Sequence, residues 1–236
     1  MSAPFEFKQF RLSQEKSAFK LGTDSVVLGS WLQGTNFQRV LDIGAGTGIL
    51  GLMLAQRFID CFVTAIELDN ESVEDCVHNF ENCAWSNRLD VINKNILEWS
   101  KENEDRKFDL IVSNPPYFVD SLKNPDERKS AARHTHSLGL DDLAGIAKNH
   151  LDENGLFCFI LPVIQFDELT KMLDAEKIYP HSICTVSSYE KSMAIRKMGC
   201  FGFRKKEILM ETHFLYNDDK TRSDWYKWIA ADFYIK

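Results

Sequence analysis

"RVLDIGAGTGILGLMLAQRF", residues 39–58, decides the fold. Residues 39–46 read as a strand running into a glycine turn, and 49–58 as the helix that follows. Gly44, Gly46 and Gly48 sit at alternate positions in that turn. A glycine backbone takes positive φ without strain and lets a ligand approach closely. A strand, a tight glycine turn and a helix open a parallel β-α-β unit.

Outward from this unit the alternation continues. Strands are expected at 62–69, 89–96, 108–114 and 155–163, and helices at 71–83, 140–151 and 165–178. Asn70 is placed to cap the first of those helices, and Thr23-Asp24 to cap one over 25–32. Near-continuous apolar strands between helices imply a mainly parallel α/β sheet covered on both faces. The tail, with strands at 181–188, 197–204 and 212–217, shows no helical pattern between them and implies an antiparallel end. Residues 119–137 read as irregular and polar; 216–236, with Trp225, Tyr226, Trp228 and Tyr234, as a capping helix whose aromatics are core. The whole of 1–236 is expected to form one domain, an N-terminal segment (1–36) on a core (37–236).

Hydrophobic residues make up 44% of the chain, enough for a substantial core. No apolar run reaches the ~18 residues of a membrane span, and Met1-Ser2-Ala3-Pro4 lacks a signal-peptide pattern. Cys61, Cys76, Cys83, Cys158, Cys184 and Cys200 form no CxxC pair, so reduced thiols and a cytoplasmic location are expected. The His134/His136 spacing gives no metal pattern, and no metal is expected. The net charge of −7 does not exclude nucleic acid, because binding needs only a local basic patch. Two stretches qualify: Arg128, Lys129, Arg133 and His134 in the first, Arg196, Lys197, Arg204, Lys205 and Lys206 in the second.

Ligands of such sheets sit beyond the carboxyl ends of the strands, so the strand ends carry the chemistry. The glycine order GxGxG differs from the GxGxxG of dinucleotide sites. Asp42, just before it, suits a ligand bearing a cationic amine rather than a phosphate. Glu67, 19 residues beyond Gly48, is spaced to accept from ribose hydroxyls. Asn95 and Ile96 could offer an amide and an apolar wall to an adenine. The fourth strand ends in "IVSNPPYF" (111–118), where two prolines fix a rigid, donor-free corner.

"LDIGAGTGILGLMLA", "AIELD" and "SNPPYF" resemble motifs of the class I S-adenosylmethionine-dependent methyltransferases. The upstream "QEKSAFKLGTDSVVLGSW" (14–31) is similar to one bacterial subgroup, the tRNA(Val) adenine-37 N6-methyltransferases. The resemblance covers most of residues 5–205 and implies a Rossmann-like, seven-stranded sheet with S-adenosylmethionine as cofactor and a valine tRNA as partner. It further implies that Asp42 and the Gly44–Gly48 backbone hold the methionine end, Glu67 the ribose, and Leu68 and Ile96 the adenine faces. Lys20, Gly22 and Thr23 would fold over the methionine part. The third strand ends in Asn95 where many relatives carry aspartate.

An exocyclic amine on a base must pyramidalise to attack a methyl group. Two acceptors aimed at its N–H bonds favour that change and stabilise the developing positive charge. Asn114 Oδ1 and the Pro115 carbonyl can be those acceptors, Pro116 keeps the corner rigid, and Tyr117 can stack on the base. The same corner would serve a guanine N2 of ribosomal RNA or a protein glutamine, and those alternatives stay open here. A monomer is favoured.

Overall fold

The computed structural model describes residues 4–18, 20–32, 34, 36–115 and 138–235. Among them, ten strands and seven α-helices follow in chain order. The strands are β1 (Phe5–Glu6), β2 (Arg11–Leu12), β3 (Arg39–Ile43), β4 (Phe62–Glu67), β5 (Leu89–Asn93), β6 (Phe108–Ser113), β7 (Leu151–Leu161), β8 (Tyr179–Ser187), β9 (Ala194–Gly202) and β10 (Leu209–Phe214). The helices are α1 (Thr23–Trp31), α2 (Ile49–Arg57), α3 (Asn70–Glu81), α4 (Ile96–Glu102), α5 (Leu140–His150), α6 (Val163–Ala175) and α7 (Asp224–Ile229).

The main sheet has eight strands in the order β10-β8-β9-β7-β6-β3-β4-β5. Only β9 runs antiparallel to its neighbours, β7 and β8. The α/β expectation holds, with one strand more than the seven anticipated. The extra strand has a topological cause. β9 ends at the edge where β8 begins, so the link 203–208 sets β10 on the free side of β8, and β10 runs parallel to it. The antiparallel strand therefore lies inside the sheet and not at its rim.

Strands that read as continuous apolar runs divide their residues between two cores, because successive side chains point to opposite faces. Val40, Leu110, Val112, Cys158 and Ile160 face the layer that holds α1, α2, α3 and α7. Leu41, Ile43, Ile111, Phe157 and Phe159 face α4, α5 and α6. Each fully buried side chain of this kind contributes about 1.5–3 kcal/mol. All six cysteines are free, five of them buried and Cys83 half-buried.

The register brings the functional strand ends level. Ile43 pairs with Ile66 of β4 and with Ser113 of β6. Gly44, Glu67 and Asn114 therefore leave the sheet at one edge. β9 enters that same edge, with Lys197 opposite Leu161, and leaves at the other, with Phe201 opposite Phe157.

The N-terminal segment is fastened beside this edge by buried polar groups of α3. Ser13 N donates to Asn79 Oδ1 at 2.7 Å, and Lys16 N and Ser17 N donate to Asp75 Oδ2 at 3.0 and 2.8 Å. Asn79 Nδ2 also donates to Ser13 O and to Thr47 O in the glycine turn, both at 2.9 Å. Further back, the β1–β2 hairpin is clasped to residues near α7. Lys8 N donates to Phe233 O, and the Phe7 ring stacks on Tyr234 with centroids 5.8 Å apart.

Two cap assignments differ from expectation. α3 is capped by Asp69, whose Oδ2 accepts from Ser72 N at 2.8 Å, so Asn70 is the first helical residue. α1 begins at Thr23 behind Gly22 with no side-chain cap, which leaves Asp24 for another partner. Of the C-terminal aromatics, Tyr226 is buried and hydrogen-bonded to Tyr234, whereas Trp228 is 72% exposed and not core.

Candidate functional site

The glycine turn leaves β3 with φ of 69°, 56° and 80° at Gly44, Gly46 and Gly48. A side chain at any of them would be strained. Space divides their roles. A Cβ at Gly44 or Gly46 would meet nothing within 4 Å, so both present bare, approachable backbone. At Gly48 it would lie 2.5 Å from the Phe80 ring and 2.7 Å from Cys76 Sγ. Gly48 is thus the close contact between the turn and α3.

Asp42 lies within β3 and is fully buried. Its Oδ2 accepts from Gly51 N of α2 at 3.2 Å, and its Oδ1 has no partner among the described residues. Burial pushes its carboxyl up from 3.8 to about 7, with repulsion from Glu67 adding to the shift. The folded protein therefore holds a proton that the unfolded chain releases at lower pH. The stability this contributes is complete below pH 3.8 and is lost as pH rises through about 7. Between pH 5 and 8 the wild type is expected to lose about 2–3 kcal/mol relative to Asp42→Asn, which cannot titrate. Denaturant unfolding of both proteins at those two pH values measures it; parallel pH profiles would refute it.

Glu67 ends β4 and organises three backbone groups. Its Oε2 accepts from Gly46 N at 2.7 Å, and its Oε1 accepts from Leu68 N at 2.8 Å and Asp69 N at 2.9 Å. Leu68 beside it is 46% exposed, an apolar side chain open at the strand edge. Asn93, within the strand end that the sequence points to but with no role read from it, donates from Nδ2 to Glu67 O and Leu68 O, both at 3.1 Å, and holds this corner. An amide at a strand end was the available signal.

The third strand end differs from expectation. The strand stops at Asn93 and α4 begins at Ile96. Asn95 Oδ1 accepts from Leu97 N at 2.8 Å and caps that helix, and Ile96 is only 8% exposed. The cap uses one lone pair of Asn95 Oδ1, and Asn95 is half-buried. Lys20 Nζ donates to Gln14 O at 2.5 Å and Ser17 O at 2.8 Å, closing the loop before α1.

At the end of β6, Asn114 Nδ2 donates to Ser25 Oγ of α1 at 2.8 Å. Its Oδ1 is buried and has no partner among the described residues. Pro115 is buried behind it. Pro116 and Tyr117, with Arg128, Lys129, Arg133 and His134, lie outside the described residues.

The second basic stretch is divided by β9. Arg196 and Lys197 lie at the site edge, but both face carboxylates: Arg196 Nε donates to Asp24 Oδ2 and Lys197 Nζ to Asp167 Oδ1, each at 2.7 Å. Arg204, Lys205 and Lys206 follow β9 at the opposite edge, where Lys205 Nζ sits 4.5 Å from the centre of the Tyr179 ring. From Arg196 to the end of β9 at Gly202 is six residues, about 20 Å at ~3.3 Å per residue. Away from the strand ends, Cys184, Glu211 and His213 bring their donor atoms within 4.8 Å of one another on β8 and β10. Glu211 there accepts from Trp31 Nε1 at 3.1 Å and lies 3.3 Å from His213 Nε2. No helix among the described residues is long and apolar enough to cross a membrane.

The model of the methyltransferase small domain matches residues 16–161, which hold every element of this edge from α1 to β7. The chain belongs to that family. This methyltransferase is 35% identical over 237 residues to the tRNA1(Val) (adenine(37)-N6)-methyltransferase of Bacteroides fragilis, covering 100% of both chains. It is 36% identical over 234 residues to the protein of that name from Flavobacterium johnsoniae, covering 98% of this chain and 99% of the relative. Among solved structures, a predicted O-methyltransferase of Agrobacterium tumefaciens superposes with a TM-score of 0.65 at 16% identity, covering 89% and 96% of the two chains. That likeness shows the fold alone.

Proposed function

We propose that this methyltransferase transfers the methyl group of S-adenosylmethionine to N6 of adenosine 37 in the anticodon loop of a valine tRNA, in the cytoplasm. The observation that carries the reading is Asn114 Oδ1, a buried acceptor without a partner among the described residues, at the carboxyl end of β6. Buried polar atoms are nearly always paired, so a buried acceptor without a partner among the described residues marks a place for a donor. An amino group with two N–H bonds is such a donor. The names of the full-length relatives supply the target.

The residues present fit the cofactor. Gly44 and Gly46 offer open backbone beside Asp42 Oδ1, a buried acceptor without a partner among the described residues and suited to a cationic amine. Glu67 Oε2 has lone-pair capacity beyond its bond to Gly46, and Leu68 offers an apolar face to a purine. When bound, the cofactor supplies a methyl group on a positively charged sulfur. The chain's own part is alignment and charge stabilisation. Asn114 Oδ1, with the Pro115 carbonyl as second acceptor, draws on the two amine N–H bonds, so the nitrogen lone pair localises for attack. Tyr117 is assigned to stack on the base, which must leave its neighbours to enter the site; in an anticodon loop that costs little. No metal is needed for this chemistry, and one chain holds all the assigned groups.

Of the basic residues, Arg128, Lys129, Arg133 and His134 are retained as the proposed phosphate contacts. Arg204, Lys205 and Lys206 are not, since they stand at the far edge of the sheet. Incubation with methyl-labelled cofactor, total tRNA, ribosomal RNA and protein tests the reading. N6-methyladenosine at position 37 of valine tRNA is the expected product. Label found instead as N2-methylguanosine or methylglutamine would refute the target.

A further inference from the structure

Asn114 can present either of two chemical ends to the catalytic edge, and only one serves an amine. An asparagine amide exchanges its oxygen and NH2 by rotation about its terminal bond with almost no change in shape. We propose that Ser25 is the positioning residue that holds this amide with its oxygen toward the substrate. This rests on the amino-nitrogen reading above.

Ser25 Oγ accepts from Asn114 Nδ2 at 2.8 Å, which leaves Oδ1 as the buried acceptor without a partner among the described residues. Without the hydroxyl, the productive orientation would bury an amide N–H with no acceptor. Rotation would relieve it by bringing the NH2 to the position now held by Oδ1. There it would face the N–H bonds of the incoming amine, donor against donor.

The hydroxyl can do this only if α1 is itself fixed, and α1 is held at both ends. In its first turn, Asp24 Oδ2 accepts from Arg196 Nε at 2.7 Å, and the two side chains are only 19% and 24% exposed. In its last turn, Arg57 Nη1 donates to Gly29 O at 2.6 Å and Ser30 O at 3.0 Å. Ser25 is buried between these clamps. Arg196, expected from sequence to meet RNA phosphate, thus tethers the helix that carries Ser25.

The test compares wild type, Ser25→Ala and Ser25→Thr. Ser25→Ala should lower the single-turnover rate of methyl transfer about ten-fold, roughly what one hydrogen bond is worth, with cofactor affinity within about two-fold of wild type. Ser25→Thr keeps the hydroxyl and should recover the rate. Independently of activity, the Asn114 side-chain amide protons, identified by their loss in Asn114→Ala, should exchange slowly with solvent in wild type and quickly in Ser25→Ala. If the added methyl of Thr lowers the melting temperature, the Ala variant and the amide exchange decide alone. Unchanged amide exchange in Ser25→Ala would overturn the proposal. So would a loss of cofactor affinity matching the loss of rate, which would make Ser25 a cofactor ligand. If wild type methylates no tRNA, the functional reading fails, while amide exchange still decides the role of Ser25.

Discussion

Asn114→Ala is expected to lower the single-turnover rate of methyl transfer by about 10²–10³-fold, the range for removing one preorganised group that stabilises transition-state charge. The oxygen it removes is already in place and buried, and no donor among the described residues competes for it. Charge stabilisation in a dry site counts for more than in water. Cofactor affinity should stay close to wild type, because Asn114 is tied to Ser25 and not to the glycine turn. Calorimetry for the cofactor and rapid-quench kinetics for the transfer separate the two. A rate within about five-fold of wild type would sink the acceptor mechanism.

Glu67→Ala is expected to weaken cofactor binding at least 100-fold and to destabilise the fold by about 2–4 kcal/mol. The reason is structural before it is contact-based. One carboxylate receives the N–H groups of Gly46, Leu68 and Asp69, joining the glycine turn to the end of β4. Without it, Gly46 loses the partner that fixes its left-handed backbone. Glu67→Gln retains one acceptor oxygen and should fall between the two. Equal cofactor affinity in Glu67→Ala and wild type, measured by calorimetry, would show that the turn organises itself.

Much of this was legible along the chain. Buried parallel strands announce themselves as apolar runs, and three alternating glycines mark a tight turn, which Asp42 and Glu67 beside it turn into a ligand reading. What stayed hidden was pairing between distant residues. Nothing in "GTDSVVLG" shows that Ser25 meets Asn114, 89 residues on, or that Asp24 meets Arg196, 172 residues on. Those contacts come from the register of the sheet, which no local pattern encodes. The misread third strand end has a different cause. The apolar run continues into a short helix, α4, so the strand ends at Asn93 and Asn95 caps that helix. The basic stretch reads as one patch because charge is counted along the sequence, whereas β9 carries its two halves to opposite edges.

The clasp between the N-terminal hairpin and the region of α7, together with the Asp24–Arg196 tether, has a consequence during synthesis. The segment bearing Ser25 leaves the ribosome early but finds its partner Arg196 only after 172 further residues. At ~5–20 residues per second that is a wait on the order of ten seconds or more. The glycine turn can form as soon as β3 and β4 exist, whereas the oriented Asn114 amide depends on contacts completed much later. A nascent chain would therefore acquire a place for the cofactor well before it acquires a place for RNA.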